Sequence, residues 1–253
     1  MSADLSRWLG KVTQGDCLEV LRGLPDCSVD IICTDPPYPN MKGGSPGNRG
    51  YPGGVAKRRT ATTTVGTPWG SSLEWLPEAW RVARHGLLVF CSYHSIDAIP
   101  LMLPQASRVA LLTWYKRNSP PTGTHIPRYT TEYIWAFRKE SGLAWDRYKT
   151  TLFDVPLLQG GCMATERLRN PDGSTLHPTQ KPVALMRSLL VPTNPEHVIM
   201  DPFGGSGTTG VAAVLEGRQF ILIEQDPAYC EIARARIAEA QRNFQPQLME
   251  VAT

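Results

Sequence analysis

The sequence has no long apolar run. Leu87-Leu88-Val89-Phe90 is typical of its longest ones, far too short to cross a bilayer. The first residues lack the basic-then-apolar pattern of a signal peptide. A soluble, cytoplasmic protein with no membrane partner is therefore expected. Paired cysteines are also missing. The six cysteines (Cys17, Cys27, Cys33, Cys91, Cys162 and Cys230) form no C-x-x-C and show no zinc-like spacing. Buried, reduced thiols and no metal are expected. A strong charge of either sign is absent too: 26 Lys and Arg against 23 Asp and Glu leave a net +3. That balance permits a nucleic-acid partner without requiring one.

The 253 residues suffice for one large α/β domain with an ample core. Short apolar runs at 11–14, 29–34, 87–91, 109–115, 132–137, 197–200 and 220–223 read as strands. Between them, helical spacing predicts helices over 17–24, 71–85, 95–105, 183–190, 208–216 and 227–242. In the second of these, Leu73, Leu76, Ala79, Trp80 and Ala83 share one face, and Gly86 is the expected stop. About seven strands alternating with helices, without repeat or linker, predict a single doubly wound, mostly parallel seven-stranded sheet over residues 1–253. Trp114, Tyr115 and Trp135 read as core or edge packing rather than as platforms for stacked bases.

Two stretches have no period. Residues 39–70 are dense in Gly, Pro, Ser and Thr and carry Lys57, Arg58 and Arg59. A loop this long in a compact domain is usually functional or disordered. Both a basic loop closing over a phosphate backbone and a solvated insertion fit it. Residues 141–176 form the second stretch and carry Arg167 and Arg169. Lys116 and Arg117 open a further basic loop after a strand.

The 29–34 strand runs into Asp35-Pro36-Pro37-Tyr38. Prolines have no N–H and cannot extend a ladder, so the chain must leave the sheet there. That puts a carboxylate, a backbone carbonyl and a flat ring at a strand's C-terminal edge, where open α/β sheets bind ligands. The acid and the carbonyl suit two N–H bonds of an amino group on a planar base, and the ring suits its face. Taken alone, the motif is equally a proline-rich turn with an Asp cap.

The second motif is Asp201-Pro202-Phe203-Gly204-Gly205-Ser206-Gly207-Thr208-Thr209. It joins a strand to a helix, and its glycines allow close approach to the free N–H groups of the helix start. No Lys precedes Thr208, so it is not a Walker A loop, and it lacks the G-x-G-x-x-G spacing. Asp201 at the loop mouth suits an ammonium rather than a pyrophosphate. Glu224 ends the next strand, about 20 residues on, where an acid binds ribose hydroxyls. An amino acid joined to a ribose suggests S-adenosylmethionine.

In this order the motifs resemble those of the amino-DNA methyltransferases of the β group. The resemblance rests on Gly15-Asp16, the run from Thr34 to Tyr38, His177-Pro178-Thr179-Gln180-Lys181-Pro182, the glycine motif and Glu224. It implies the S-adenosylmethionine-dependent methyltransferase fold and action on double-stranded DNA, with homodimers expected by analogy. Asp35 and the Pro36 carbonyl, with Pro37 shaping the turn, would hold the target amino group. Tyr38 would stack on the base, which must be flipped out of the duplex. The cofactor would be lined by Thr34, Asp201, Phe203, Gly204, Gly205, Ser206, Gly207 and Thr208. Glu224 would bind its ribose, Asp16 would lie near its adenine, and Gln180 and Lys181 would sit on the far wall. DNA contacts would fall in 39–70 and 141–176, with Lys57, Arg58, Arg59, Lys116, Arg117, Arg167 and Arg169 as the candidate cations.

The family pairs Asp at the first motif position mostly with adenine and Ser with cytosine, so N6-adenine is the expected target. Methylation at cytosine C5 needs a nucleophilic Cys, typically after Pro, and no Pro-Cys occurs. N4-cytosine methylation stays open. So do an RNA or protein amino-methyltransferase and a non-catalytic DNA-binding homologue.

Overall fold

The structure is a computed structural model that describes residues 5–37, 73–93, 95–119, 130–139, 142–158, 166–177 and 179–244. Tyr38, Lys57, Arg58, Arg59, Cys162 and Pro178, with the whole of the 39–70 loop, lie outside the described residues.

The strands are β1 (Lys11–Gln14), β2 (Val29–Thr34), β3 (Ala83–Cys91), β4 (Ser107–Tyr115), β5 (Thr131–Arg138), β6 (Leu152–Asp154), β7 (Val198–Asp201) and β8 (Gln219–Glu224). Among the described residues they form one eight-stranded sheet in the order β1-β8-β7-β2-β3-β5-β4-β6. Only β5 opposes its neighbours; every other pairing is parallel. The helices are α1 (Cys17–Arg22), α2 (Trp75–Val82), α3 (Ala98–Leu101), α4 (Val183–Leu189), α5 (Thr208–Leu215) and α6 (Pro227–Asn243).

The central strands are apolar throughout because both faces are covered; all six residues of β2 are buried. One core joins Ile31, Cys33, Leu88 and Phe90 of the sheet to Leu185 and Leu189 of α4, Ala212 of α5 and Ile237 of α6. The other joins Val29, Ile32, Leu87 and Val89 to Leu21 of α1, Leu76 and Ala79 of α2 and Ile99 of α3. The doubly wound α/β architecture is thus the one expected. None of the described helices is long and apolar enough to cross a membrane.

Three expectations need correction. The sheet has an eighth strand, β6, inside the stretch read as irregular. With three residues of pattern exposed-intermediate-exposed it carries no sequence period, and it exists through its pairing with the end of β4. The helix expected over 71–85 ends at Val82. Ala83 turns extended and pairs with Val29 of β2. Gly86 is then no helix stop but a mid-strand residue. A Cβ there would lie 2.2 Å from the Phe137 carbonyl oxygen of β5, so only hydrogen fits. The helix expected over 95–105 shrinks to the single turn of α3, where Pro100 and Pro104 limit propagation.

Candidate active site

Parallel strands bring their C-terminal ends to one edge. Gln14 of β1 pairs with Glu224 of β8, and Asp201 of β7 pairs with Leu222 of β8. Thr34 ends β2 two strands away from β8, beside β7. The edge therefore gathers Asp16, Asp35, the 201–208 loop and Glu224 from four separate parts of the chain. Because β5 runs the other way, its beginning reaches the same edge. Its Glu132 pairs with Trp114 near the end of β4, and Lys116 follows just beyond.

Asp35 and Pro36 leave β2 as the prolines require. Pro36 is buried and Asp35 partly so. The Asp35 carboxylate accepts a hydrogen bond from the Lys181 ammonium. Lys181 also lies 3.4 Å from Glu132 Oε2, and Lys116 donates to Glu132 Oε1 at 3.0 Å. The Phe90 ring stands 5.2 Å from the Lys181 nitrogen. Charges thus alternate along Lys116, Glu132, Lys181 and Asp35. Burial works against the charged form of Lys181, but Asp35 and Glu132 outweigh it and raise its pKa. Burial likewise opposes the Glu132 carboxylate, yet Lys181 and Lys116 hold its pKa below the ordinary value.

Asp201 faces inward. Its Oδ1 accepts from the Thr34 hydroxyl at 2.6 Å and the Phe203 amide at 3.0 Å, and its Oδ2 accepts from the Thr209 hydroxyl at 2.5 Å. Burial pushes its pKa up to about 6 against these three bonds. Asp201 and Thr34 therefore lock the loop to β2 from beneath. The loop itself turns through Gly205 at φ 50° and Gly207 at φ 83°. A Cβ on Gly207 would lie 2.8 Å from both Cα and Cβ of Ala233 in α6, so this glycine serves the packing of α6 under the loop. Above, Glu224 Oε2 accepts from the Gly205 amide at 2.7 Å, and Oε1 from the Asp226 amide at 2.9 Å. Asp226 caps α6, as Asp16 caps α1 through the Leu18 and Glu19 amides.

The remaining loop residues are tied to their surroundings. Ser206 is buried; its hydroxyl meets His177 Nδ1 at 3.0 Å, and its carbonyl accepts from Arg236 at 2.6 Å. Thr208 Oγ1 takes a second bond from Arg236 at 3.2 Å. Phe203 stacks edge-on against Trp75, centroids 5.0 Å apart. Burial lowers the pKa of His177 to about 4, with Lys181, Arg236 and Arg167 adding to the effect. The buried Gln180 side chain bonds the backbone of Glu166 and Leu168, and so fastens the 166–177 stretch ahead of α4.

Several sequence candidates are engaged by other protein groups. Lys181, expected on the cofactor's far wall, has its ammonium on Asp35. Gln180, Thr34 and Asp201 bond protein groups in the interior. Lys116, a candidate for phosphate contact, is buried and paired with Glu132. Arg117 is exposed and pairs with Asp154 at 2.9 Å. Arg169 bonds the Gly173 carbonyl at 3.0 Å, across an isolated bridge to Thr175. Arg167 is partly buried. Glu132 and Arg236 escaped the sequence reading. Neither stands in a motif, and only the antiparallel turn of β5 and the packing of α6 bring them here.

Among the described residues one His and acid cluster has ligand atoms within 4.8 Å of one another: Asp30, His85 and His197, buried or partly so. It lies at the opposite end of the sheet. Its carboxylate is already held by Arg84 and by the Val198 amide, each at 2.8 Å.

Comparison with known proteins fits this geometry. Residues 29–235 match the N6_N4_Mtase family model, described as DNA methylase. The type II methyltransferase M.HinfI of Haemophilus influenzae is 28% identical over 264 aligned positions, covering 96% of this chain and 72% of that protein. The crystal structure of the M1.HpyAVI–SAM complex superposes with a TM-score of 0.62 at 28% identity, covering 89% of this chain and 98% of the other. The cytosine-N4-specific PvuII DNA methyltransferase shares the fold, with a TM-score of 0.64 at 16% identity and coverage of 92% and 91%.

Proposed function

Because the chain belongs to the N6_N4_Mtase DNA methylase family, we propose that it transfers a methyl group from S-adenosylmethionine to the exocyclic N6 amino group of an adenine flipped out of duplex DNA. The observation that carries this reading is the shared edge. Asp35 and the Pro36 carbonyl stand at the end of β2, while the glycine loop and Glu224 stand at the ends of β7 and β8.

The residues present fit the cofactor. Glu224 ends its strand with a carboxylate suited to paired ribose hydroxyls, and it retains lone pairs beyond the two amides it accepts. Gly204 and Gly205 present backbone beside it without side chains. When bound, S-adenosylmethionine supplies a methyl group on a sulfonium sulfur, an electrophile whose leaving group is a neutral thioether.

The protein's part is to prepare the nucleophile. An exocyclic amine is weak because its lone pair is delocalised into the ring. Asp35 and the Pro36 carbonyl accept its two N–H bonds, favouring a pyramidal nitrogen with the lone pair turned outward. A carboxylate offers about four lone-pair directions, so Asp35 accepts from the amine while it accepts from Lys181. Its charge also stabilises the positive charge that grows on nitrogen. Catalysis is then positioning and electrostatics, with no covalent intermediate.

The acid at position 35 favours adenine, as the resemblance implies. The fold does not discriminate, since a cytosine-N4 enzyme shares it. The test is transfer of labelled methyl from S-adenosylmethionine to unmethylated duplex DNA, with mass analysis of the nucleosides. N6-methyladenine is expected. N4-methylcytosine would overturn the base assignment alone, and no product on any DNA would overturn the reading.

A further inference from the structure

We propose that Lys181 is a positioning residue for the Asp35 carboxylate, held in place by a buried relay through Glu132 to Lys116. The proposal rests on the methyl-transfer reading above and assigns a role to a residue that motif order alone puts on the cofactor's wall.

Three features of the geometry carry it. The first is direct contact, since the Lys181 ammonium donates to Asp35 Oδ2. The second is confinement. The Lys181 side chain is 10% exposed, and its nitrogen sits against the Phe90 ring. A lysine otherwise has four rotatable bonds and would not fix a partner's orientation. Here Glu132 lies 3.4 Å from the same ammonium as a second carboxylate, and Glu132 is itself held by Lys116. The third is charge balance. Two cations and two carboxylates alternate and sum to zero. Lys181 can therefore keep Asp35 ionised and oriented without leaving the amine facing a net positive site, because Glu132 offsets it.

The arrangement also explains why the relay crosses the sheet. Asp35 leaves β2, Glu132 begins β5 and Lys116 follows β4. Asp35 is thereby coupled to strands that lie beyond β3, on the side of the sheet away from β7 and β8. Among the described residues, the other titratable groups whose electrostatics involve Asp35 are Cys33 on its own strand, Cys91 at the end of β3 and Asp201 at the end of β7. The charges of Asp35 and its neighbours act on all three. Burial keeps both thiols neutral, with Cys91 raised to about 12, so neither adds a second negative charge beside Asp35, and Lys181 is its counter-charge.

The test compares full-length wild type, Lys181→Met and Lys181→Arg on duplex DNA, with cofactor affinity measured separately by calorimetry. For Lys181→Met, kcat is expected to fall at least about tenfold, and by up to about 100-fold if Asp35 swings by an ångström. The dissociation constant for S-adenosylmethionine should change less than about threefold. The acid limb of the kcat profile should move up by roughly one pH unit, because an opposite charge beside a carboxylate favours its ionised form. Lys181→Arg keeps the charge, so its acid limb should stay at the wild-type position while kcat recovers in part.

A loss of cofactor affinity matching the loss of kcat/KM would overturn the proposal and return Lys181 to the cofactor wall. Unchanged kcat in Lys181→Met would overturn it too. If Lys181→Met does not fold, Lys181→Arg decides alone: a shifted acid limb or weakened cofactor binding counts against the role. Absence of methyl transfer in the wild type would instead refute the underlying reading.

Discussion

Replacing Glu132 by Gln removes one charge from the middle of the Lys116, Glu132, Lys181, Asp35 chain while keeping the volume. The gross attraction is large. With an effective dielectric constant of about 20, unit charges at the observed separations of 3.0 and 3.4 Å attract by roughly 5 kcal/mol each. Desolvation cancels most of this, and what a variant reads is the cost of leaving two neighbouring ammonium groups with no carboxylate between them and Asp35 as the one acid left in the chain. Breaking a buried pair costs about 3–5 kcal/mol. The Glu132 side chain is 23% exposed, so water relieves part of the strain and the low end, about 3 kcal/mol, applies. For a chain of this size that lowers Tm by roughly 6–12 °C.

The assay is urea unfolding followed by circular dichroism, with the midpoint falling at an unchanged slope. The pKa of Glu132 is held below its ordinary value of 4.5. Its stabilisation is therefore present above that pH and fades as pH falls through the lower, folded value, so the gap between the proteins should close in acid. The double variant Lys116→Met, Glu132→Gln leaves Lys181 paired with Asp35 and should recover most of the loss. A change within about 0.5 kcal/mol in Glu132→Gln, or no recovery in the double variant, would refute the coupled chain.

Other perturbations probe the rest of the site. Asp35→Ala should abolish methyl transfer to DNA while leaving S-adenosylmethionine binding largely intact, measured by activity and calorimetry; full activity would sink the mechanism. Gly207→Ala must accept φ 83° and a contact of 2.8 Å with Ala233, which together cost about 2–5 kcal/mol and should appear as a lowered unfolding midpoint. His177 stays neutral down to about pH 4. The unfolded chain thus binds more protons between that value and the ordinary 6.5, and His177 makes stability rise with pH across this window. Asp201, raised to about 6, acts in the opposite sense. His177→Gln should therefore remove the rising component and leave the variant relatively more stable than wild type at pH 5 than at pH 7; parallel pH profiles would contradict this.

The local signals in the sequence were sufficient for the central fold. Continuous apolar runs mark β2, β3 and β8 because a strand covered on both faces has no polar period to show. Asp16 and Asp226 stand where helix caps are found. The two prolines after Asp35 end β2 whatever surrounds them. What the sequence misread is local structure overridden by partners. Helical spacing continued through Ala83, but strand pairing with Val29 claims that residue. β6 is too short and too exposed to announce itself.

At the site, sequence order alone named Asp35, the glycine loop and Glu224, since each is a strand end and parallel strands end together. The interior half was set by tertiary structure. Whether Asp201 faces a ligand or Thr34 and Thr209 depends on which side of the loop packs on β2. Whether Lys181 reaches the cofactor or Asp35 depends on where the stretch before α4 crosses the edge. Glu132 enters because one strand runs against the rest. Each of these is a contact between residues far apart in the chain, and no spacing along a sequence encodes the direction in which a side chain meets a distant neighbour.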